Sequence, residues 1–293
     1  MSSALTPEAR TESLIDALPF LQEFRGHTFV IKYGGAAMED EQIVEKFLRD
    51  VVFLEAVGIN PVIVHGGGKA ITARMREAGL KARFVNGLRV TDATAIGIVE
   101  ETLDKEINPA IVRTICEFGG RADGFSGKAV FAAQRLPPQA TEDGQSVDVG
   151  FVGEAAGIEA GAIRKAIARE IVPVISPIGA TSDGSVLNIN ADVAAAALAA
   201  ELQATKLIFV SDVPGIMRDP EDKKSIIPSL TAEQTESLIK QKVIAGGMIP
   251  KVHSAAAALR AGVKKIHLIG GNVPHGLLLE IFTSAGVGSE IVP

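Results

Sequence analysis

Short apolar runs of strand length alternate with longer stretches of helical periodicity from Thr28 almost to the end of the chain. The runs fall at 28–33, 61–65, 128–132, 171–176, 206–211 and 265–269. Helical patterns fill 39–57, 69–79, 91–117, 157–169, 191–202, 231–242, 249–261 and 275–282. A strand that is apolar throughout must be covered on both faces, and parallel neighbours need a crossover helix between them. The pattern predicts an α/β fold: a three-layer αβα sandwich around a mostly parallel sheet. Residues 134–152 break the rhythm with Pro137-Pro138, Asp143-Gly144 and alternation at Val147, Val149 and Phe151, which predicts a β-hairpin excursion. A turn at Ser182-Asp183-Gly184 divides the rest into lobes 27–183 and 184–293.

Residues 1–26 precede the sheet and contain a separate helix over 6–24. Thr6 caps it, Pro7 takes its first position, and Leu14, Leu18 and Leu21 share one face. Pro19 is expected to kink it. The stripe can pack on its own domain or against another subunit, and the sequence leaves both open.

Composition excludes several classes. A net charge of -6 without a Lys/Arg block, together with 12 Phe, 1 Tyr and no Trp, argues against a nucleic-acid surface. No apolar stretch reaches the ~18 residues of a membrane span, and no basic segment leads into an apolar one at the N-terminus. Cys116 is the sole cysteine, so no zinc ligand set exists, and its helical setting predicts a core position. The expectation is a soluble cytoplasmic protein.

Two strands end in glycines. The first is Val30-Ile31-Lys32-Tyr33-Gly34-Gly35, and the second is Val62-Ile63-Val64-His65-Gly66-Gly67-Gly68, followed by a helical pattern. Such turns expose backbone N–H groups at a helix N-terminus, where anions bind. Gly68-Lys69 has Ile63 at the spacing where a Walker A loop needs glycine, and Ala70 follows it, so that motif is excluded. In the second half, Asn188-Ile189-Asn190-Ala191-Asp192 enters an alanine-rich helix. Helix capping needs only one of these polar residues. A strand ends in Ser211-Asp212 before Pro214-Gly215, at the kind of sheet edge where nucleotides bind. Gly246-Gly247-Met248-Ile249-Pro250-Lys251 opens another helix with a lysine where the dipole opposes it, a placement that calls for an anion.

Taken in order, Lys32-Tyr33-Gly34-Gly35, His65-Gly66-Gly67-Gly68, Asn86-Gly87-Leu88-Arg89-Val90-Thr91, Asn188–Asp192, Ser211-Asp212-Val213 and Gly247–Lys251 resemble the amino-acid kinase family from about Thr28 onward. The Asn86–Thr91 segment resembles that of members acting on N-acetylglutamate. The resemblance implies transfer of a phosphoryl group from ATP, with Mg2+ held mainly by phosphates, to the γ-carboxylate of N-acetyl-L-glutamate, on the route to arginine. A carboxylate is already ionised at neutral pH, so no general base is needed, and the chemistry reduces to positioning and charge stabilisation. By resemblance, Lys32 and Lys251 stabilise the transferring phosphoryl and Asp192 holds both lysines. Gly67, Gly68, Arg89 and Asn188 bind the acetylglutamate. Gly34, Gly35, Ser211 and Asp212 serve the nucleotide. His65 is expected to orient its loop, and His253 and His267 to be ordinary helix and strand positions. No metal ligands are expected from the protein.

The C-terminal segment resembles that of members inhibited by L-arginine, which implies an effector site at His275, Glu280, Gly286 and Gly288. It also implies a homo-oligomer, a hexamer linked through the N-terminal helices; whether a PII-type signalling protein is a further partner the sequence leaves open. Ala129 stands where the pattern has an acidic residue, Ser289 replaces a threonine, and Phe20 stands where many inhibited members have tyrosine. Two rivals remain: a kinase for a related acylated amino diacid such as an amino-adipate derivative, and a non-catalytic arginine or nitrogen sensor.

Overall fold

A computed structural model describes residues 6–38, 40–141 and 143–293. Residues 1–5, at the start of the predicted N-terminal segment, and Glu39, the first residue of the predicted 39–57 helix, lie outside the described residues, as does Glu142.

In chain order the elements are α1 (Pro7–Phe24), β1 (Thr28–Tyr33), α2 (Glu41–Ala56), β2 (Asn60–His65), α3 (Gly68–Glu77), β3 (Phe84–Val85) and β4 (Leu88–Arg89). Next come α4 (Ala93–Glu101), a π-helical turn (Thr102–Ile107), α5 (Asn108–Glu117), β5 (Ala122–Phe125), β6 (Phe131–Arg135), β7 (Gln139–Ala140), β8 (Ser146–Val147) and β9 (Val152–Ile158). The second half comprises α6 (Gly161–Ala168), β10 (Val172–Ile175), β11 (Ile178–Ala180), β12 (Val186–Ile189), α7 (Ala191–Glu201) and β13 (Lys206–Ser211). It ends with β14 (Ser229–Thr231), α8 (Ala232–Lys240), α9 (Met248–Arg260), β15 (Lys265–Gly270), α10 (Gly276–Phe282) and β16 (Ser289–Val292).

The central sheet runs β14-β16-β15-β13-β1-β2-β10-β5. It is parallel except where β16 runs against β15. Alternation along β1 separates its two faces. Val30 packs with Leu207 and Phe209 under α7 and α9, through Ala194, Ala195, Leu198, Val252 and Ala255. Phe29, Ile31 and Tyr33 pack with Ile63 and Ile208 under α2, α5 and α10, through Leu48, Val51, Leu54, Ile115 and Leu277. The predicted αβα sandwich forms in this way. A small closed sheet of β11-β12-β9-β6 flanks it, and the hairpin expected within 134–152 forms between β7 and β8.

Four details differ from the sequence expectation. The run at 128–132 supplies no central strand: a 3-10 turn covers Gly127–Ala129 and β6 joins the small sheet. The sheet edge is instead Ala122-Asp123-Gly124-Phe125, invisible to apolar patterning because its middle residues are exposed. The 91–117 pattern is interrupted by the π-turn, which apolar spacing in the sequence does not distinguish from α-helix. The start of the 157–169 pattern is the end of β9. Cys116 is exposed, because Ile111 and Ile115 set the buried face of α5 and the next residue lies about 100° around the helix.

α1 begins as predicted, with the Thr6 hydroxyl accepting from Ala9 N at 3.2 Å, and it continues through Pro19. Only its end is buried: Phe24 packs edge-on against Phe29, with ring centroids 5.4 Å apart. Leu14 and Ile15 are 68% and 62% exposed, so most of the stripe has no partner within the chain.

Candidate active site

Register places the two glycine turns side by side. β1 and β2 are parallel neighbours with Tyr33 opposite His65, so both chains leave the sheet at its carboxyl edge. Gly66 N donates to Tyr33 O at 2.6 Å. A Cβ on Gly34 would lie 3.3 Å from Gly66 Cα and 3.1 Å from Lys32 Nζ. Gly35 has φ +71, and a Cβ there would lie 2.2 Å from an Asp212 oxygen. Glycine is required at this position for both conformation and space.

Lys32 follows Val30 on the face covered by α7. There it meets Asp192, at the start of that helix, with Nζ 3.2 Å from Oδ1. Lys251, in the first turn of α9, reaches the other carboxylate oxygen at 2.6 Å. Asn190 caps α7 by accepting from Asp192 N and Val193 N, so the Asp192 side chain is released from capping. All three charged groups are largely buried. Burial pushes the Asp192 carboxyl up, but the ammonium groups of Lys32 and Lys251 outweigh that and hold it below the usual carboxylate range. Burial pulls Lys251 down, and Asp192 opposes the fall. The three bonded groups are two cations and one anion, and Asp212 in the same cleft is near enough for its charge also to favour protonated Lys251.

Lys32 and Asp192 of this cluster line a cleft of about 500 Å3. Its lining includes Lys32, Gly35, Gly67, Gly68, Arg89, Asn188, Asp192 and Asp212. Arg89 is 6% exposed and has no carboxylate partner among the described residues. Its Nη2 donates to Gly68 O (2.6 Å) and Thr72 Oγ1 (2.8 Å), its Nη1 meets only the Met75 sulfur (3.5 Å), and the Phe84 ring covers it at 4.7 Å. Burial lowers its pKa, as expected of a cation that lacks a counterion. Asn188 Nδ2 donates to Thr91 Oγ1 at 3.4 Å. Leu88, Leu103, Ile107, Val152 and Pro177 supply the apolar part of the same lining.

His65 is fully buried, with Nδ1 on Gly66 O (2.9 Å) and Nε2 on Asn108 Nδ2 (3.2 Å). Burial drives its pKa down to about 4. A neutral, doubly engaged imidazole orients the glycine turn.

Ser211 ends β13 and does not line the cleft. Its carbonyl accepts from Gly271 N at 2.7 Å, which holds the turn that presents Asp212. Glu280, Gly286 and Gly288 line a second cavity of about 510 Å3, with Phe20, Lys206 and His267. His275 stands apart from it, with Nδ1 2.6 Å from Asp50 on α2. His267 is not an ordinary strand residue. It is 3% exposed and bridges Lys206 (Nζ to Nε2, 3.0 Å) and Glu280 (Nδ1 to Oε1, 2.6 Å). The available signal was parity: Lys206 and His267 lie on adjacent strands, and both interrupt apolar runs.

Sequence reasoning also missed Leu103, Ile107 and Pro177, apolar residues that only tertiary packing brings to a cleft.

The amino acid kinase family model matches residues 27–270. An acetylglutamate kinase of Akkermansia muciniphila is 51% identical over 280 residues, covering 95% of this chain and 94% of that protein. One from Methanocaldococcus jannaschii is 46% identical, covering 96% of each. Among solved structures, N-acetylglutamate synthase of Neisseria gonorrhoeae with coenzyme A and N-acetyl-glutamate superposes with a TM-score of 0.84 at 26% identity, covering 97% of this chain and 63% of that one. The same synthase with coenzyme A and L-arginine gives 0.79 at 25%, covering 96% and 65%.

Proposed function

Given that the chain belongs to the amino acid kinase family, with acetylglutamate kinases as its relatives over nearly its whole length, we propose that the cleft moves the γ-phosphoryl group of ATP onto the γ-carboxylate of N-acetyl-L-glutamate, in arginine biosynthesis. The convergence of Lys32 and Lys251 on Asp192 carries this reading. Two ammonium groups held by one carboxylate would face the charge that spreads over the transferring phosphoryl oxygens. Asp192 keeps the ammonium groups in register and lowers the cost of burying them together. Arg89 then pairs with the substrate α-carboxylate, beside Asn188, and the apolar stretch receives the acetyl group. The glycine turns let backbone N–H groups approach phosphate oxygens. Gly67 and Gly68 serve the acetylglutamate side; Gly34, Gly35, Ser211 and Asp212 serve the nucleotide side. On this division, 27–183 is the acetylglutamate lobe and 184–293 the nucleotide lobe.

Among the described residues no group of three His, Cys, Asp or Glu side chains could enclose a metal. Mg2+ would then be carried in on the triphosphate, where it would neutralise phosphate charge, with Asp212 in the cleft as an available carboxylate.

A second reading concerns the cavity between α1 and α10. Its buried Lys206 and its Glu280 carboxylate, which the N–H groups of Val287 and Gly288 hold in place, offer a cation and an anion, which together suit L-arginine as a feedback effector. The exposed stripe of α1 suits pairing between subunits, as in a hexamer built from the 1–26 segments. A cytoplasmic location fits a biosynthetic enzyme, and a PII-type partner remains part of the proposal without a surface assigned to it.

The test is a coupled assay of ADP release with N-acetyl-L-glutamate, its amino-adipate homologue and no acceptor, each with and without L-arginine. Turnover with acetylglutamate alone supports the reading. Turnover only with the homologue, or none with arginine still bound, supports the rival kinase or the sensor.

A further inference from the structure

Leu103 and Ile107 of the apolar stretch belong to the π-turn Thr102–Ile107. They press against the glycine turn: a Cβ on Gly67 would lie 2.7 Å from Leu103 Cδ2 and 2.7 Å from Ile107 Cδ1. A π-turn is less stable than the α-helix it interrupts, so something must hold it. The carboxylate between those two residues does so. Asp104 accepts from Ser126 Oγ at 2.6 Å and from Ser176 Oγ at 2.5 Å. Ser176 is fully buried, and its own oxygen accepts from Gly127 N at 2.9 Å. It directly precedes Pro177, another cleft residue.

Two pieces of the cleft wall, the π-turn and the Ser176-Pro177 corner, are therefore joined through one carboxylate, and the 126–127 loop behind them is tied to the same group. Glu100, one turn earlier, pairs with Lys128 in that loop. Two acids from α4 and the π-turn thus secure a loop whose own position 129 is alanine. No charged side chain opposes Asp104 at bonding distance among the described residues, so its carboxylate is satisfied by hydroxyl donors alone.

We propose that Asp104 is a positioning residue that fixes the Leu103/Ile107 wall and thereby sets the length of N-acyl group the substrate site accepts. The proposal rests on the cleft being the acetylglutamate site. Loss of the carboxylate frees the π-turn to relax toward α-helical phase, which withdraws both side chains from Gly67 and enlarges the apolar stretch without touching the Lys32–Asp192–Lys251 cluster.

The experiment compares kcat and KM for N-acetyl- and N-propionyl-L-glutamate in the parent, Asp104→Ala and Asp104→Asn. In Asp104→Ala the KM for acetylglutamate should rise about tenfold and the acetyl-over-propionyl preference fall about tenfold, the scale of a methylene-sized change in an apolar pocket. The KM for ATP should stay within about twofold of the parent, since no nucleotide contact is changed. Asp104→Asn keeps one acceptor oxygen and should recover most of the preference. A fall in thermal stability with unchanged acyl preference would overturn the proposal and leave Asp104 a purely structural residue. Should Asp104→Ala prove insoluble, Ser126→Ala removes one of the two bonds and should still shift the preference about threefold; an unchanged preference there is equally fatal. A parent enzyme inactive on both acyl-glutamates would instead reject the substrate assignment itself.

Discussion

Lys251 Nζ lies 2.6 Å from Asp192 Oδ2 while Lys32 Nζ stands 3.2 Å from Oδ1, so one carboxylate from α7 spans two ammonium groups, one from β1 and one from α9. The closer pair is a hydrogen-bonded one; the longer contact leaves Lys32 freer to turn toward a phosphate. Replacing either lysine with alanine should reduce kcat by roughly 10²–10³, comparable to removing one preorganised donor, with small changes in KM. Steady-state kinetics of both variants test this, and near-parental kcat in Lys251→Ala would remove it from the machinery.

Asp192→Asn should be worse for the lysines than for the fold's core. Without the carboxylate, burial and mutual repulsion both favour loss of a proton from one ammonium group. The pH profile of kcat should then lose its high-pH limb at lower pH than in the parent. A profile with the same alkaline limb would show that Asp192 does not hold the lysines charged.

Arg89→Ala and Arg89→Lys should both raise the KM for acetylglutamate far more than that for ATP. Lysine rescues poorly because Arg89 Nη2 is already committed to Gly68 O and Thr72 Oγ1, and a point charge cannot reproduce that planar arrangement. A change confined to the KM for ATP would place Arg89 on the nucleotide side.

Asp50 is a buried carboxylate whose pKa is raised to about 6, by burial against the opposing influence of His275. The folded state binds a proton that the unfolded chain releases near pH 4, so this group makes stability fall as pH rises from about 4 to about 6. Asp50→Asn should abolish that contribution. Chemical denaturation of both proteins should show the variant gaining on the parent across this interval, by up to about 3 kcal/mol. A constant difference across it would refute the assignment.

A truncation meant to probe the exposed stripe of α1 must spare Phe24, which packs on Phe29 within the core. Removing residues 1–19 should leave catalysis intact and abolish both the hexamer and arginine inhibition. Sedimentation and inhibition curves read the two effects, and a truncated enzyme that remained hexameric and arginine-sensitive would refute linkage through α1.

The central strands β1, β2, β10, β13 and β15 were legible because each is a compact apolar run, and hydration alone dictates that such a run be buried on both faces. The glycine turns, Lys32, Asp192 and Lys251 were legible for a related reason: glycines and charges at the ends of apolar elements have few purely structural explanations. What the sequence could not display was anything dependent on distant partners. β5 is a strand because β10 offers it an edge, and Ala122-Asp123-Gly124-Phe125 has no strand signal of its own. Asp104 lies inside a helical pattern with no signal of its own, and the Ser126 and Ser176 hydroxyls that bond it arrive from elsewhere in the chain. His267 becomes part of a buried relay because β13 and β15 pair in one register and α10 brings Glu280 onto it. Local chemistry determined most of the strands and helices and the glycine turns between them. The tertiary structure decided which polar groups meet, because the energy of a buried charge or hydrogen bond depends on partners that local sequence does not specify.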